Sequence, residues 1–109
     1  MSEQSFVERL FELGDQQVIV RFHTPTLEPT RDYKCRWTLA WPDREERGHA
    51  YGADGVQALM LAMRSVHTKL VNCDAYKEGR LTYANQADLD LPPTWGVGPL
   101  YDAGPRPER

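Results

Sequence analysis

Tyr33-Lys34-Cys35-Arg36-Trp37-Thr38-Leu39-Ala40-Trp41 places aromatic, aliphatic or thiol side chains at every odd position and polar or small ones at every even position. Successive side chains of a strand point to opposite faces, so a period of two marks a strand with one face in a core. Pro42-Asp43-Arg44 supplies turn chemistry, and Glu46 to Tyr51 is expected to return as the next strand. Counted across that turn, Gly48, Ala50 and Gly52 share a face with Leu39, Trp37 and Cys35. Small residues there leave room for a helix to approach closely.

The helix is announced by Gly52-Ala53-Asp54-Gly55-Val56-Gln57, where Asp54 can cap the first free amides and Gln57, three residues on, can complete a capping box. Val56, Leu59, Met60, Met63, Val66 and Leu70 follow at helical spacing and form the expected buried stripe, with Gln57, Arg64, Thr68 and Asn72 turned away. The helix should stop between Asn72 and Gly79, since glycine is a natural end residue.

Upstream, Phe6 to Leu13 and Gln17 to Thr24 read as two strands around Gly14-Asp15, a dipeptide suited to a tight hairpin. Pairing about that turn sets Phe11 opposite Val18, Val7 opposite Phe22 and Glu8 opposite Arg21, whose opposed charges favour the register. Pro25 to Asp32 is expected to be a loop, and Leu81-Thr82-Tyr83 has the makings of a short strand. The expected fold is α+β: an antiparallel four-stranded sheet in ββββα order, one long amphipathic helix on one face, and a Pro/Gly-rich C-terminal segment. Residues 84 to 109 hold five prolines and three glycines, too many for a long regular element. The organisation expected is a domain over 1–83, an irregular segment over 84–102 docked on the domain or on a partner, and a disordered tail over 103–109.

Taken whole, 109 residues and 12.5 kDa fit a single domain. Forty per cent hydrophobic content is enough for one core, and a net charge of −3 gives no general electrostatic basis for grasping a polyanion. Cys35 and Cys73 form no CxxC pair and no disulfide framework, which suits reduced thiols in the cytoplasm. Residues 1–17 lack a basic region followed by a long apolar one, and no stretch is apolar enough to span a membrane. The expected compartment is the cytoplasm.

Tyr33 to Trp37 in the third strand, Ala50-Tyr51-Gly52-Ala53-Asp54-Gly55-Val56-Gln57-Ala58-Leu59 at the helix start, and Gly79-Arg80-Leu81-Thr82-Tyr83 together resemble the family catalogued as domain of unknown function 6968. The resemblance covers about residues 6 to 92 and is most specific over Ala50 to Leu59. It implies a ββββα fold and a standalone bacterial protein of unassigned activity. Several small bacterial families of this size look like immunity proteins that neutralise a toxin, an analogy of kind.

The residues themselves point away from catalysis. His23, His49 and His67 show no HxH or HExxH spacing, and no CxxC accompanies them, so no metal ligand set is expected. His67 reads as a core-edge histidine bonded to a carbonyl, and Cys73 as a packing residue. Cys35 faces the helix while His49, paired near Thr38, faces the other way, so no nucleophile and base should meet. Asp88 and Asp90, and likewise Asp43, Glu45 and Glu46, read as solvated charge in turns and loops, and Gly96-x-Gly98 opens no helix that could cradle a phosphate. A pocket between helix and sheet should be absent if Trp37 and Trp41 fill the core. The expectation is a non-enzyme with no catalytic set and no cofactor.

More informative is the sheet face away from the helix, expected to carry Phe6, Leu10, Ile19, Arg21, His23, Lys34, Arg36, Thr38, His49 and Tyr51. A solvated face seldom carries so many apolar side chains, so something should cover it. The chain's own tail, anchored by Trp95 and Leu100, is one expected cover; a second copy in a homodimer and a target protein are others. The leading functional expectation is a protein-binding module, most concretely an immunity-type inhibitor that occludes a toxin. Arg21, Arg36, His49, Tyr51, Asp43, Glu45, Glu46 and Trp95 are its expected contact residues. Acidic Asp43-Arg44-Glu45-Glu46 would then meet a basic cleft. The alternatives are a nucleic-acid binder using Arg21, Lys34, Arg36, His49 and Tyr51 on the open sheet, against which the net charge and Glu8 weigh, and a homodimeric accessory protein.

Overall fold

The structure, a computed structural model, describes the backbone of residues 5–95 and the side chains of residues 6–94. Strand β1 (Ser5–Leu13) and strand β2 (Gln16–His23) form the expected hairpin, with Phe11 opposite Val18, Val7 opposite Phe22 and Glu8 opposite Arg21. Gly14 takes a φ of 63° at the first turn position, the left-handed conformation that a glycine adopts without steric cost. The ladder is irregular between Ser5 and Val7, which leaves Phe6 outside the pairing.

Strand β3 (Thr26–Leu27) lies within the stretch expected to be a loop and pairs with the start of β4 (Tyr33–Ala40). Two residues are too short for any period to show. The other edge of β4 is taken along its whole length by β5 (Glu45–Gly52). Because β2 and β3 both pair with β4 while β5 holds the opposite edge, they share one edge in succession, divided at Thr24-Pro25 where proline cannot donate to the ladder. Strand β6 (Leu81–Thr82) adds to the end of β1. The antiparallel sheet thus has six strands, two of them two residues long, where four were expected.

Between β4 and β5 the register places Gly48 against Trp37, Ala50 against Cys35 and Gly52 against Tyr33. His49 is opposite Arg36, two residues from its expected place near Thr38, a shift that preserves every face. The reason is the turn, which Trp41 N–H closes onto the Arg44 carbonyl at 2.8 Å, so that the return strand starts at Glu45.

Helix α1 (Gly55–Val71) begins as the sequence indicates: the Gln57 amide donates to Asp54 Oδ1 at 2.8 Å. The Gln57 side chain reaches back one residue further than a capping box requires, accepting from Ala53 N–H at 2.6 Å. The buried face differs from the expected stripe. Ala58, Ala62, Val66 and Leu70 are fully buried, Leu59 and Met63 are half-buried against the core, and Val56 is 68% exposed. The cause lies at Gly52, where a Cβ would stand 2.4 Å from the Ala58 amide nitrogen. Helix and strand touch backbone to backbone, and only the small side chains of Ala58 and Ala62 fit between them. Gly48 serves differently: the Trp37 indole lies on it, 2.2 Å from where a Cβ would be.

α1 ends at Val71 with Asn72 as its C-cap, at the near limit of the expected interval, and α2 (Asp74–Lys77) follows. Gly79, at φ 79°, ends α2 in a Schellman motif, with Gly79 N–H donating to Tyr76 and Arg80 N–H to Ala75.

Drawn close to Gly52, α1 lies over β4 and β5. The other half of the core face needs another cover, and residues 84–92 provide it: Leu89 and Leu91 are buried in the same cluster as Phe11, Val18 and Phe22. Arg9 on β1 donates to the carbonyls of Leu89 and Asp90, and its guanidinium stacks 4.4 Å from the centroid of Tyr83. This part of the C-terminal segment therefore packs on the helix side, not on the open face that the tail was expected to cover. Leu100 and residues 103–109 lie outside the described residues, as does the Trp95 side chain, although the backbone of Pro92–Trp95 forms a 3₁₀ turn.

The contact at Gly52 predicts that Gly52→Ala destabilises more than Gly14→Ala. The first forces α1 off the sheet and should cost about 3 kcal/mol as overpacking against backbone. The second meets open space and carries only the left-handed penalty of about 1–2 kcal/mol. Urea unfolding of the two variants checks the order. A second prediction concerns His67, whose pKa burial lowers and Asp88 partly restores. A group with a depressed folded pKa contributes stability that is complete above its unfolded value, about 6.5 for histidine, and declines as pH falls towards the folded one. His67→Gln should flatten the urea midpoint below about pH 6.5, while Asp88→Asn should steepen its fall there.

Candidate functional site

The face of the sheet away from α1 is ordered by cross-strand register. One row runs Leu10, Ile19, Ala40, Glu45 and the next Glu8, Arg21, Thr38, Arg47. Arg36 and His49 pair in a third row, which His23 joins if the β2–β4 register is continued by one residue. A fourth is Thr26, Lys34, Tyr51. Directly opposed side chains in an antiparallel pair sit about 4.5–5.5 Å apart at Cβ, so the rows place Arg21, Arg36 and Arg47 around Thr38.

Edge and centre differ in character. Leu10 and Tyr51 are 45% and 47% exposed, unusual for such large side chains on a sheet face. His49 packs edge-on against Tyr51 with centroids 5.2 Å apart, and Lys34 Nζ approaches the same ring at 5.8 Å. At the centre, Arg21, His23, Arg36, Thr38, Glu45 and Arg47 line a depression of about 390 Å³, with His23 only 7% exposed. Arg21 Nε meets Glu8 at 3.4 Å, as the hairpin register suggests, and Arg47 meets Glu45 at 3.1 Å.

Of the residues expected to contact a partner, Arg21, Arg36, His49, Tyr51 and Glu45 are therefore brought together here. Glu46 is not. It follows Glu45 in a strand and so points to the helix side, where Oε1 accepts from Trp41 Nε1 at 2.8 Å and Oε2 lies 3.6 Å from Lys69 Nζ. Glu45 and Glu46 belong to β5 and not to a loop, and Glu46 holds the turn to α1. Asp43 stays in the turn beyond the strand ends, 3.0 Å from Arg44, whose guanidinium covers the Trp41 ring at 4.4 Å. Arg47, which sequence reasoning did not single out, is central; its parity with His49 and Tyr51 was the available signal.

Elsewhere, Cys35 is fully buried on the helix side, its thiol donating to the His23 carbonyl at 3.4 Å, and His49 lies on the opposite face. Trp37 and Trp41 belong to the core, although the Trp37 indole N–H is buried without an acceptor among the described residues. Half-buried Cys73 lines a groove with Trp41, Arg44, Asn72 and Arg80 beside the 41–44 turn. His67 makes no hydrogen bond to a carbonyl among the described residues; its neighbour is Asp88, whose own pKa is lowered chiefly by the Asp90 amide and then by Thr94. Among the described residues no three His, Cys, Asp or Glu side chains gather as a metal site needs, and no helix is long and apolar enough to cross a membrane.

A six-stranded antiparallel sheet with one main helix on one face and a mixed charged and apolar opposite face defines a small α+β domain. The chain belongs to the DUF6968 family, a domain of unknown function, whose model matches residues 7–93. No curated protein and no solved structure matches it.

The opposite orientations of two adjacent carboxylates give a direct test. Glu46→Ala strips the Trp41 indole of its acceptor and should cost about 1–3 kcal/mol. Glu45→Ala removes an exposed pairing and should stay within about 0.5 kcal/mol of the parent. Thermal unfolding monitored by tryptophan fluorescence separates them.

Proposed function

We propose that the protein is a protein-binding module that presents the open face of its sheet to a partner, most concretely as an immunity-type inhibitor that occludes a toxin. One observation carries the reading. Among the described residues both helices and the 84–92 segment pack on the other face, while Leu10, Ile19 and Tyr51 surround Arg21, Arg36 and Arg47 on this one. Exposed apolar and aromatic side chains around arginine are the composition of interface anchors. The small size of the domain suits a protein that acts by covering another. Because arginines and the carboxylates of Glu8 and Glu45 alternate at the centre, the matching surface is one of mixed charge and not simply the basic cleft expected from the 43–46 acids.

A nucleic-acid reading draws on the same arginines and on the packed His49–Tyr51 pair, which offers an aromatic platform to an unstacked base. Two exposed carboxylates, Glu8 and Glu45, lie among those arginines and oppose it.

The decisive experiment is co-purification with the product of the adjacent gene, using the parent chain and the variants Leu10→Asp and Tyr51→Asp. Binding by the parent, weakened about thirtyfold or more by either variant, is the expected result, since anchor residues typically carry about 2 kcal/mol each. Rescue of cells from that gene product would support the inhibitor form. Failure of both binding and rescue overturns it, a gel shift of single-stranded DNA at low salt would favour the nucleic-acid reading, and self-association in ultracentrifugation would make a second copy the occupant.

A further inference from the structure

The free edge of β5 carries an inference that goes beyond the reading of the open face. We propose that β5 pairs antiparallel with β5 of a second copy of this chain, about a two-fold axis at Gly48, and so joins two sheets into one.

The starting point is which main-chain groups are spare. Trp41 N–H donates to the Arg44 carbonyl, so residues 41 and 44 form a hydrogen-bonded pair, and such pairs recur at every second position of an antiparallel ladder. Glu46, Gly48, Ala50 and Gly52 therefore spend their amides and carbonyls on β4. Those of Glu45, Arg47, His49 and Tyr51 point the other way, where among the described residues no strand pairs with them. Natural sheets guard such edges with bulges, prolines, lysines or very short strands. β1 has its irregularity between Ser5 and Val7 and is capped by β6, and β3 is two residues long. β5 has none of these protections: its eight residues pair with β4 without a break, and it holds neither proline nor lysine.

The strand is also complementary to itself. An antiparallel copy that keeps the faces aligned must join odd residues to odd, since a one-residue slip misaligns the main-chain groups and turns every side chain over. With Gly48 on the axis, Glu45 meets Tyr51 of the second copy, Arg47 meets its His49, and the reciprocal pairs follow by symmetry. Every outward position from Glu45 to Tyr51 is then paired on both strands. A shift of two residues one way sets Arg47 against its own copy, a like-charge pair that destabilises, and a shift the other way leaves Glu45 outside the ladder. On the helix side the axis falls at Gly48, which has no side chain. Ser65 and Thr68 of α1, which border one groove with Glu46, are exposed and small, so a second α1 has room alongside. Spare main-chain groups alone would accept any extended strand; this match of the strand to itself selects a second copy. Because the axis is perpendicular to the sheet, both open faces lie on one side of the joined sheet and stay uncovered.

Sedimentation equilibrium of the full chain, combined with hydrogen exchange of its amides, tests the pairing. The expected result is a dimer in which the amides of Arg47, His49 and Tyr51 exchange slowly and then faster on dilution, while those of Gly48 and Ala50 stay protected throughout. His49→Pro removes an outward N–H without touching the β4 ladder and should raise the dimer dissociation constant about tenfold or more, with a thermal melt to confirm folding. His49→Lys leaves the backbone unaltered, opposes two cations across the axis and should also weaken the dimer. Adding Arg47→Glu to that chain should restore it, because opposite charges then face each other. A monomeric mass at millimolar concentration overturns the proposal, as does a dimer in which the three outward amides exchange fast. So does a dimer that Leu10→Asp dissolves, since Leu10 lies on β1 and would anchor a copy seated on the open face instead. Protection of the three amides only when the adjacent gene's product is bound would make a foreign strand the occupant and overturn the second copy.

Discussion

The backbone of α1 rests on the backbone of β5 at Gly52, and the rest of the structure is arranged around that contact. A side chain on residue 52 would collide with the Ala58 amide, so the approach is open only to glycine. Ala58 and Ala62 then occupy the buried stripe that larger residues would have taken, and Leu59 and Met63 fall to its edge. A helix drawn so close cannot also cover β1. Phe11, Val18 and Phe22 are sealed instead by Leu89 and Leu91, and the irregular segment becomes a structural part of the core.

The same division of labour explains the outer face. With the helix side saturated by α1, α2 and the 84–92 segment, every described element is committed to one side of the sheet. Strand alternation then delivers the even residues of β4 and the odd residues of β2 and β5 to the other side, which gathers Arg21, Arg36 and Arg47 although they are distant in sequence. A chain with net charge −3 thereby gathers three arginines on one face, with Glu8 and Glu45 among them. Total charge speaks to solubility and long-range attraction; local register decides what a partner meets.

Much of this was legible in the residues. The Gly14 hairpin and the Tyr33–Trp41 alternation fix pairing and faces, because a one-residue slip would turn every apolar side chain outward. Asp54 and Gln57 mark the helix start chemically. What could not be read has identifiable causes. The buried helix stripe differs from the expected one because side-chain size favours Leu and Met over Ala, and only the Gly52 contact reverses that ranking. Glu45 and Glu46 look alike as turn acids because the Pro42-Asp43-Arg44 turn does not show where β5 begins, and only that start gives them opposite orientations. β3 is too short for a period, and the docking of Leu89 and Leu91 depends on where the helix sits, which no local pattern contains. Within the candidate site, Arg21, Arg36, His49 and Tyr51 follow from parity, and parity alone would have added Arg47.

The tether from Arg9 to the Leu89 and Asp90 carbonyls spans about eighty residues of chain. It joins the first strand to the 84–92 segment, and β6 reinforces the same junction at Leu13. During synthesis the hairpin can form early, but half of its apolar face has no lid until Leu89 and Leu91 have left the ribosome. Closing so long a loop costs entropy before any contact repays it, which places this junction late on the folding route. The nascent chain therefore carries an uncovered β1–β2 surface until Leu89 and Leu91 emerge, and the interval in which it is vulnerable to aggregation is set by the distance between Arg9 and Leu89 along the polypeptide.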